Sequence, residues 1–239
     1  GSMCTPIGNP QNLFLYTYFK MSLGDFLIAI IPFVLISFGL IAIHIVKKQD
    51  EKIKTPILHQ KDDTNIVYLW IYLIMFGLCL LSVLHLISIF YLLPIICLGC
   101  FYLDKKTLIR VDYNLLLTFV GFFIFIGNLK NIDIISQFLS QLVANNEIAV
   151  SVICSQIFSN VPATILLSGF TKNVHDLLIG VNIGGLGTLI ASMASLISYK
   201  YIARMYPEHK KEYFKMFTKY NIIYLIILCV AAFLIKMVF

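Results

Sequence analysis

Short polar interruptions in otherwise apolar sequence are the residues of this chain whose types and spacing could do chemistry. One of them, Ser159-Asn160-Val161-Pro162, separates two apolar arms, 148–158 and 161–170, of 11 and 10 residues. Arms this short cannot cross a bilayer as helices, and irregular backbone at membrane depth needs the cover of protein or of a watery cavity. We therefore expect a re-entrant hairpin at about residues 144–170 with its tip at a cavity. The tip sequence taken alone fits an ordinary helix break equally well.

A second interruption, GGLGTLIAS at 184–192, aligns without gaps with the opening stretch GSMCTPIGN at 1–9. Paired interruptions of this kind point to the binding site of a secondary transporter, because a broken helix exposes backbone carbonyls and N–H groups inside the membrane. Carbonyl oxygens suit a cation, and half-helix N-termini suit an anion. The identical pairs are Gly1 with Gly184, Thr5 with Thr188 and Ile7 with Ile190.

The surrounding sequence is apolar enough to place these interruptions inside a membrane. Of 239 residues, 59% are hydrophobic and 13% are charged, and the charges fall in short blocks between apolar runs. The 38-residue run 66–103 would reach about 57 Å as one helix, so it needs two helices with a turn near 82–88. We predict an all-α polytopic membrane protein with about six spanning helices, the last beginning at about 217.

The distribution of basic residues predicts how the chain is oriented. The loops at 47–65, 104–110 and 200–219 hold 14 of the 18 lysines and arginines, so the positive-inside rule makes them cytoplasmic. This bias requires 130–173 to enter and leave on the outer side, as a re-entrant hairpin does, and it leaves the C-terminus outside. We expect a multi-pass protein of the plasma membrane.

Three motifs resemble the ion transporter superfamily, and most of all bacterial citrate-transporter-like anion permeases. They are TPIGNPQNL, VDYNLLLTFVGFFIFIGNL and SNVPATILL, in that order along the chain. Divalent anion/sodium symporters, arsenite permeases and one class of sodium/proton antiporters are relatives. The resemblance implies two inverted repeats, each with a re-entrant hairpin and a broken helix. The chain would then be truncated at its N-terminus, with most of the first repeat missing and residues 1–46 forming the end of that repeat. Residues 47–65 would be a cytoplasmic loop. Residues 66–239 would form the second repeat, with its broken helix at about 176–201.

The resemblance and the interruptions together give the candidate binding residues. Ser159 and Asn160 match the hairpin tip of the family, Val161 stands where the symporters usually have Thr, and Thr164 is the residue that could compensate. A sodium ion, acting as coupling ion, is expected at Ser159, Asn160 and Gly185. The full candidate set for substrate or cation is Thr5, Gly8, Asn9, Ser159, Asn160, Thr164, Gly184, Gly185, Gly187 and Thr188.

The predicted function is secondary active, ion-coupled transport of a small anion, a carboxylate such as citrate or a dicarboxylate, by alternating access. The expected partners are this anion and the lipid bilayer, with no nucleic acid and no resident cofactor; a homodimer stays open. No hydrolase, zinc-protease or phosphate-loop motif is present, so we do not expect an enzyme. The alternatives are a sodium/proton antiporter, an arsenite efflux permease, and a non-transporting membrane fragment or scaffold. The neutral Ser159-Asn160 tip favours anion transport over antiport, which needs a buried carboxylate.

The remaining polar features have ordinary explanations. Asp112, Glu147 and the His175-Asp176 pair fall at predicted helix or hairpin ends, where we expect them to be solvated. Cys97 and Cys100 have the spacing of a metal or redox pair but no second pair, so helix packing is expected.

Overall fold

The structure is a computed structural model that describes residues 2–46, 66–144 and 146–238. Gly1 and the polar loop predicted at 47–65 lie outside the described residues. Within these ranges the chain forms helices and no strands, which confirms the all-α prediction. The α-helices are α1 (Pro10–Tyr18), α2 (Leu23–Val46), α3 (Ile66–Val83), α4 (Ile89–Leu103), α5 (Lys105–Ile109), α6 (Tyr113–Lys130), α7 (Asp133–Val143), α8 (Glu147–Phe158), α9 (Asn160–Ser168), α10 (Val174–Ile183), α11 (Met193–Met205) and α12 (Lys210–Val238).

Three helical segments of the described chain are long and apolar enough to cross a membrane: Leu23–Val46, Ile66–Val83 and Pro207–Met237. A fourth candidate is the pair Leu116–Leu129 and Asp133–Val143, which is bent by 103°. The protein is therefore a polytopic helical membrane protein, with fewer full-length spans than the six expected. Helix α4 illustrates the difference, since its 15 residues reach about 22 Å, short of a bilayer core of about 30 Å.

The chain divides into two units, each with its own packing. The larger unit comprises Gly1–Ala42 and Leu115–Phe239, and the smaller comprises Ile43–Asn114. In the smaller unit, the predicted turn between α3 and α4 is confirmed, with His85 in the left-handed region at φ 62°. In the larger unit, α2, α10 and α12 share a core made of Phe33, Ile183, Leu228 and Ala232.

Helices α8 and α9 form a helical hairpin that turns at the predicted residue. Ser159 is the single non-helical residue between them, with φ 73° and ψ 152°. Pro162 favours the interruption, because its nitrogen cannot donate a backbone hydrogen bond and its ring would clash with the carbonyl of residue 158 in a continuous helix. In the first turn of α9 the same proline is tolerated, since its N–H would be unused there. Entry of this hairpin into the membrane stays a prediction.

The helix after the hairpin is interrupted, as the glycines of 184–188 predict. Helix α10 ends at Ile183, a short 3-10 turn covers Leu189–Ala191, and α11 begins at Met193. The last helix, α12, begins at Lys210, seven residues earlier than the predicted 217. At its start, the exposed side chains of His209 and Glu212 lie 3.4 Å apart, one helical turn from each other.

Candidate functional site

Three helix N-termini converge on one cavity of about 530 Å³ in the larger unit. Asn9, Pro10 and Gln11 bring the start of α1 to its wall, and Asn160 brings the start of α9. The start of α11 contributes Ser192 through Ser195, and the end of α10 contributes Asn182 and Gly185. Because the first N–H groups of a helix lack partners within the helix, the cavity gathers the positive ends of three helix dipoles.

The caps of α1 and α11 occupy matching positions of the internal alignment. The Asn9 side chain accepts a hydrogen bond from the backbone N–H of Asn12 at 2.8 Å, and Pro10 fills the first helical position. Ser192, the residue aligned with Asn9, caps α11 by accepting from the N–H of Ala194 at 3.3 Å. The two interrupted segments therefore resume their helices in the same register.

Polar side chains on the cavity wall are buried without a protein partner among the described residues. Asn160 and Gln11 are each 4% exposed and Ser195 is 8% exposed, and their side chains make no hydrogen bond within this part of the chain. Ser37 Oγ, from α2, differs from these three side chains, because the oxygen atom is itself buried and has no partner among the described residues. Buried polar groups are costly unless they are satisfied, so these side chains are available to a ligand or to water in the cavity.

Asn182, at the end of α10, joins the second interruption to the first. Its Nδ2 donates to Asn12 Oδ1 at 2.7 Å, and its Oδ1 accepts from Asn9 Nδ2 at 3.2 Å. Asn12 is fully buried and also donates to the carbonyls of Met3 and Thr5, both at 3.2 Å. The two halves of the cavity wall are thus linked by a network of three asparagine side chains.

Gln156, near the end of α8, binds the interrupted backbone after α10. Its Nε2 donates to the carbonyls of Gly184 and Leu186, each at 2.9 Å, and its Oε1 accepts from the N–H of Thr188 at 2.9 Å. Thr188 Oγ1 returns a bond to the Gln156 carbonyl at 3.3 Å. The carbonyls of Gly184 and Leu186, which were predicted to be free to bind a cation, instead accept hydrogen bonds from a side chain of the hairpin.

Small residues let α8 and α10 approach closely. A Cβ on Gly180 would lie 2.8 Å from Ser151 Cβ, and one on Gly184 would lie 2.8 Å from Ser155 Cβ. Both serines are fully buried and donate to carbonyls of their own helix four residues back. This is the small-residue packing that brings membrane helices together, and it explains the glycine at 184 by contact with α8.

The structure brings some of the predicted site residues to the cavity and places others behind it. Gly8, Asn9, Asn160 and Gly185 line the cavity, and a Cβ on Gly185 would lie 2.9 Å from Asn160 Nδ2. The Oγ1 of Thr164, a buried residue, donates to the Asn160 carbonyl, and Ser159 Oγ lies 3.5 Å from the Ala191 carbonyl. The predicted residues outside the lining are Thr5, Ser159, Thr164, Gly184, Gly187 and Thr188.

Several lining residues were missing from the sequence-based set. Gln11, Ser37, Asn182 and Ser195 all reach the cavity. The motif TPIGNPQNL already contained Gln11, and the internal alignment placed Ser192 opposite Asn9. No sequence signal distinguished Ser37 or Asn182 from other polar residues in apolar helices.

Charge is absent from the described lining of this cavity and is concentrated elsewhere in the unit. The expectation that Glu147 and Asp176 are solvated is wrong, because they are 4% and 8% exposed. The N-terminal turn of α8 packs closely on α10, which buries Glu147, and Asp176 forms an ion pair at 2.5 Å with Lys236 of α12. A second cavity of about 470 Å³ lies beside this pair.

Comparison with known proteins identifies the family. Residues 1–177 match the family model described as citrate transporter. The chain belongs to the citrate transporter family. This confirms the resemblance seen in the three motifs. No solved structure matches the chain.

Two relatives match most of this citrate transporter family member, but the matches cover only about half of their own length. The uncharacterized transporter MJ0456 of Methanocaldococcus jannaschii is 43% identical over 204 residues, covering 84% of this chain and 54% of the relative. Inner membrane protein YbiR of Escherichia coli is 27% identical over 208 residues, covering 84% of this chain and 55% of the relative. The chain thus spans about half the length of the curated relatives it matches.

Proposed function

We propose that this chain contributes to the binding site of a secondary active transporter for a small carboxylate anion, such as citrate or a dicarboxylate. The observation that carries the proposal is the meeting of three helix N-termini, those of α1, α9 and α11, at one cavity. Membership in the citrate transporter family supports the same class of substrate.

An anion fits this cavity better than a cation does. Each helix N-terminus stabilises a nearby negative charge by about 0.3–1 kcal/mol, rising to about 2 kcal/mol in partly buried geometries. The unpartnered amides of Gln11 and Asn160 can donate to carboxylate oxygens, and Ser195 adds a hydroxyl. Hydrogen-bond donors without a fixed positive charge suit a transporter, which must release its substrate as readily as it binds it.

The coupling ion proposed for this transporter is sodium, and the cycle proposed is alternating access in the plasma membrane with the basic loops facing the cytoplasm. Asn160 and Gly185 line the cavity together, while Ser159 lies behind Asn160 at the hairpin turn. Of the three predicted sodium contacts, we therefore assign Asn160 and Gly185 to both sodium and the anion in this proposal. The carbonyls of Gly184 and Leu186 are held by Gln156 and are not assigned to sodium.

The test is uptake of radiolabelled citrate and succinate by proteoliposomes that contain the protein expressed from its complete gene. We expect sodium-stimulated uptake that Asn160→Ala lowers at least tenfold. Asn128→Ala is the matched control, because the Asn128 side chain is exposed and bonds only to Ile124 in the same helix. Sodium-driven proton movement without anion uptake would replace the proposal with antiport. Arsenite efflux alone would replace it with the permease, and absence of any transport would favour the scaffold.

A further inference from the structure

We infer that Gln156 is a positioning residue that holds the interruption after α10 open at a fixed width. This inference rests on the proposed function, since the residues it positions, Gly185 and Asn160, belong to the proposed anion site. Gln156 itself does not line the cavity, so its effect on substrate would pass through the backbone that it binds.

The geometry of the side-chain amide carries the inference. In a continuous α-helix the N–H of residue 188 would donate to the carbonyl of residue 184, because the bonds run from each N–H to the carbonyl four residues back. Here these two groups instead bind the two ends of the Gln156 amide: Nε2 donates to the Gly184 carbonyl and Oε1 accepts from Thr188 N–H, both at 2.9 Å. The amide is inserted into one helical hydrogen bond and replaces it at both ends.

One further hydrogen bond and the conformation of Gly187 fix the same segment. The Leu186 carbonyl accepts from Gln156 Nε2 at 2.9 Å, so the amide nitrogen bridges two carbonyls of the interruption. Gly187 adopts φ 102°, a left-handed conformation, and a Cβ there would collide with Gln156 Oε1. A side chain at 187 would therefore displace the glutamine as well as strain the backbone.

The consequence is that the hairpin and the interrupted helix are tied together three residues before the hairpin turn. The carbonyls of Gly184 and Leu186 bind Gln156, and between them Gly185 lies beside Asn160 in the cavity wall, where an added Cβ would be 2.9 Å from Asn160 Nδ2. Loss of the glutamine would let the interruption close or shift, and the position of Gly185 relative to Asn160 would change with it.

The test uses Gln156→Glu and Gln156→Met in the protein expressed from its complete gene. An ionised glutamate keeps the acceptor for Thr188 but faces the carbonyl oxygens of Val152, Gly184 and Leu186, whereas a protonated glutamate regains one donor. None of the described residues that share a hydrogen bond with the Gln156 side chain, Val152, Gly184, Leu186 and Thr188, has a titratable side chain. The matched control is Gln141→Glu, the same change on an exposed position of α7.

We expect Gln156→Glu to raise the KM for citrate or succinate at least tenfold at pH 7.5. As the pH falls to 5.5, this variant should regain at least threefold in KM relative to the wild type measured at the same pH. Gln156→Met should show the raised KM without the recovery, and Gln141→Glu should behave as the wild type. Wild-type KM values and an unchanged pH profile in Gln156→Glu would overturn the inference.

A second readout does not depend on transport. Hydrogen–deuterium exchange of peptides covering 184–188 should be at least tenfold faster in Gln156→Met than in the wild type, with peptides from α12 unchanged. If the wild type transports no anion but this acceleration is present, the proposed function fails while the role of Gln156 in holding the interruption stands. If the wild type transports and exchange at 184–188 is unaffected by Gln156→Met, the inference about Gln156 fails alone.

Discussion

Asn182 Nδ2 donates a hydrogen bond of 2.7 Å to Asn12 Oδ1, across 170 residues of sequence. This bond and the one from Asn9 to Asn182 connect the start of α1 with the end of α10. Both segments flank interruptions that align with each other, so the link holds the two halves of the proposed site at a fixed separation. Asn12 is fully buried, so its amide depends on partners within the protein for its hydrogen bonds.

Asn182→Ala is expected to destabilise the larger unit by about 1–3 kcal/mol, because it leaves the side-chain oxygen of the buried Asn12 without a hydrogen-bond donor. Thermal unfolding in detergent measures the effect. Asn128→Ala is the control, since it removes an exposed amide that bonds within its own helix, and it should change stability by less than about 0.5 kcal/mol. Equal melting temperatures for the two variants would show that the asparagine network is not structural.

Gln11 and Asn12 are adjacent, equally polar and both buried, yet they should respond differently to the same change. Gln11 lines the cavity and has no side-chain partner among the described residues, so Gln11→Leu should leave stability intact and weaken anion binding about tenfold. Asn12→Leu removes bonds to Met3, Thr5 and Asn182, so it should lower stability by about 1–3 kcal/mol.

Isothermal titration with citrate or succinate, paired with thermal unfolding, separates the two effects. A Gln11→Leu protein that loses stability but binds the anion normally would contradict the assignment of this side chain to the ligand. An Asn12→Leu protein of unchanged stability would contradict the structural role of its amide.

The local interruptions could be predicted from sequence, whereas the residues that stabilise them could not. Gly187 takes a positive φ at its own position and Pro162 lies three residues after the turn at Ser159, so the hairpin turn and the helix break fall close to the residues that predict them. Gln156 and Asn182 act across 28 and 170 residues, and nothing in their own neighbourhood marks them. The same limit explains the error at Asp176, whose partner Lys236 lies 60 residues further along the chain.

The glycine at 180 allows a test of the contact between α8 and α10. A Cβ there would lie 2.9 Å from both the Cα and the carbonyl oxygen of Ile148, which are backbone atoms that cannot rotate away. Gly180→Ala should therefore cost about 1–3 kcal/mol through overpacking and separate the two helices. Thermal unfolding of the purified protein is the measurement.

Gly121→Ala is the matched control for this change, because among the described residues no atom outside the local backbone of α6 lies within 4 Å of the added Cβ. It should be neutral or stabilise α6 by up to about 1 kcal/mol through higher helix propensity. A Gly180→Ala protein as stable as the Gly121→Ala protein would mean that α8 and α10 are packed less closely than described.

The ion pair between Asp176 and Lys236 fixes the start of α10 to the end of α12, and its removal should be non-additive. Asp176→Asn leaves Lys236 without its partner, and Lys236→Met leaves a carboxylate that is 12% exposed without a counter-charge. Each single change should therefore destabilise the protein. Asp176→Asn should cost less than Lys236→Met, because the lysine that remains in Asp176→Asn has a side chain that is 46% exposed and can be solvated. Because that exposure also screens the pair, the coupling measured in a double-mutant cycle should be about 1 kcal/mol. Thermal unfolding of the wild type, both single variants and the double variant gives this value, and strictly additive effects would show that the two charges do not interact.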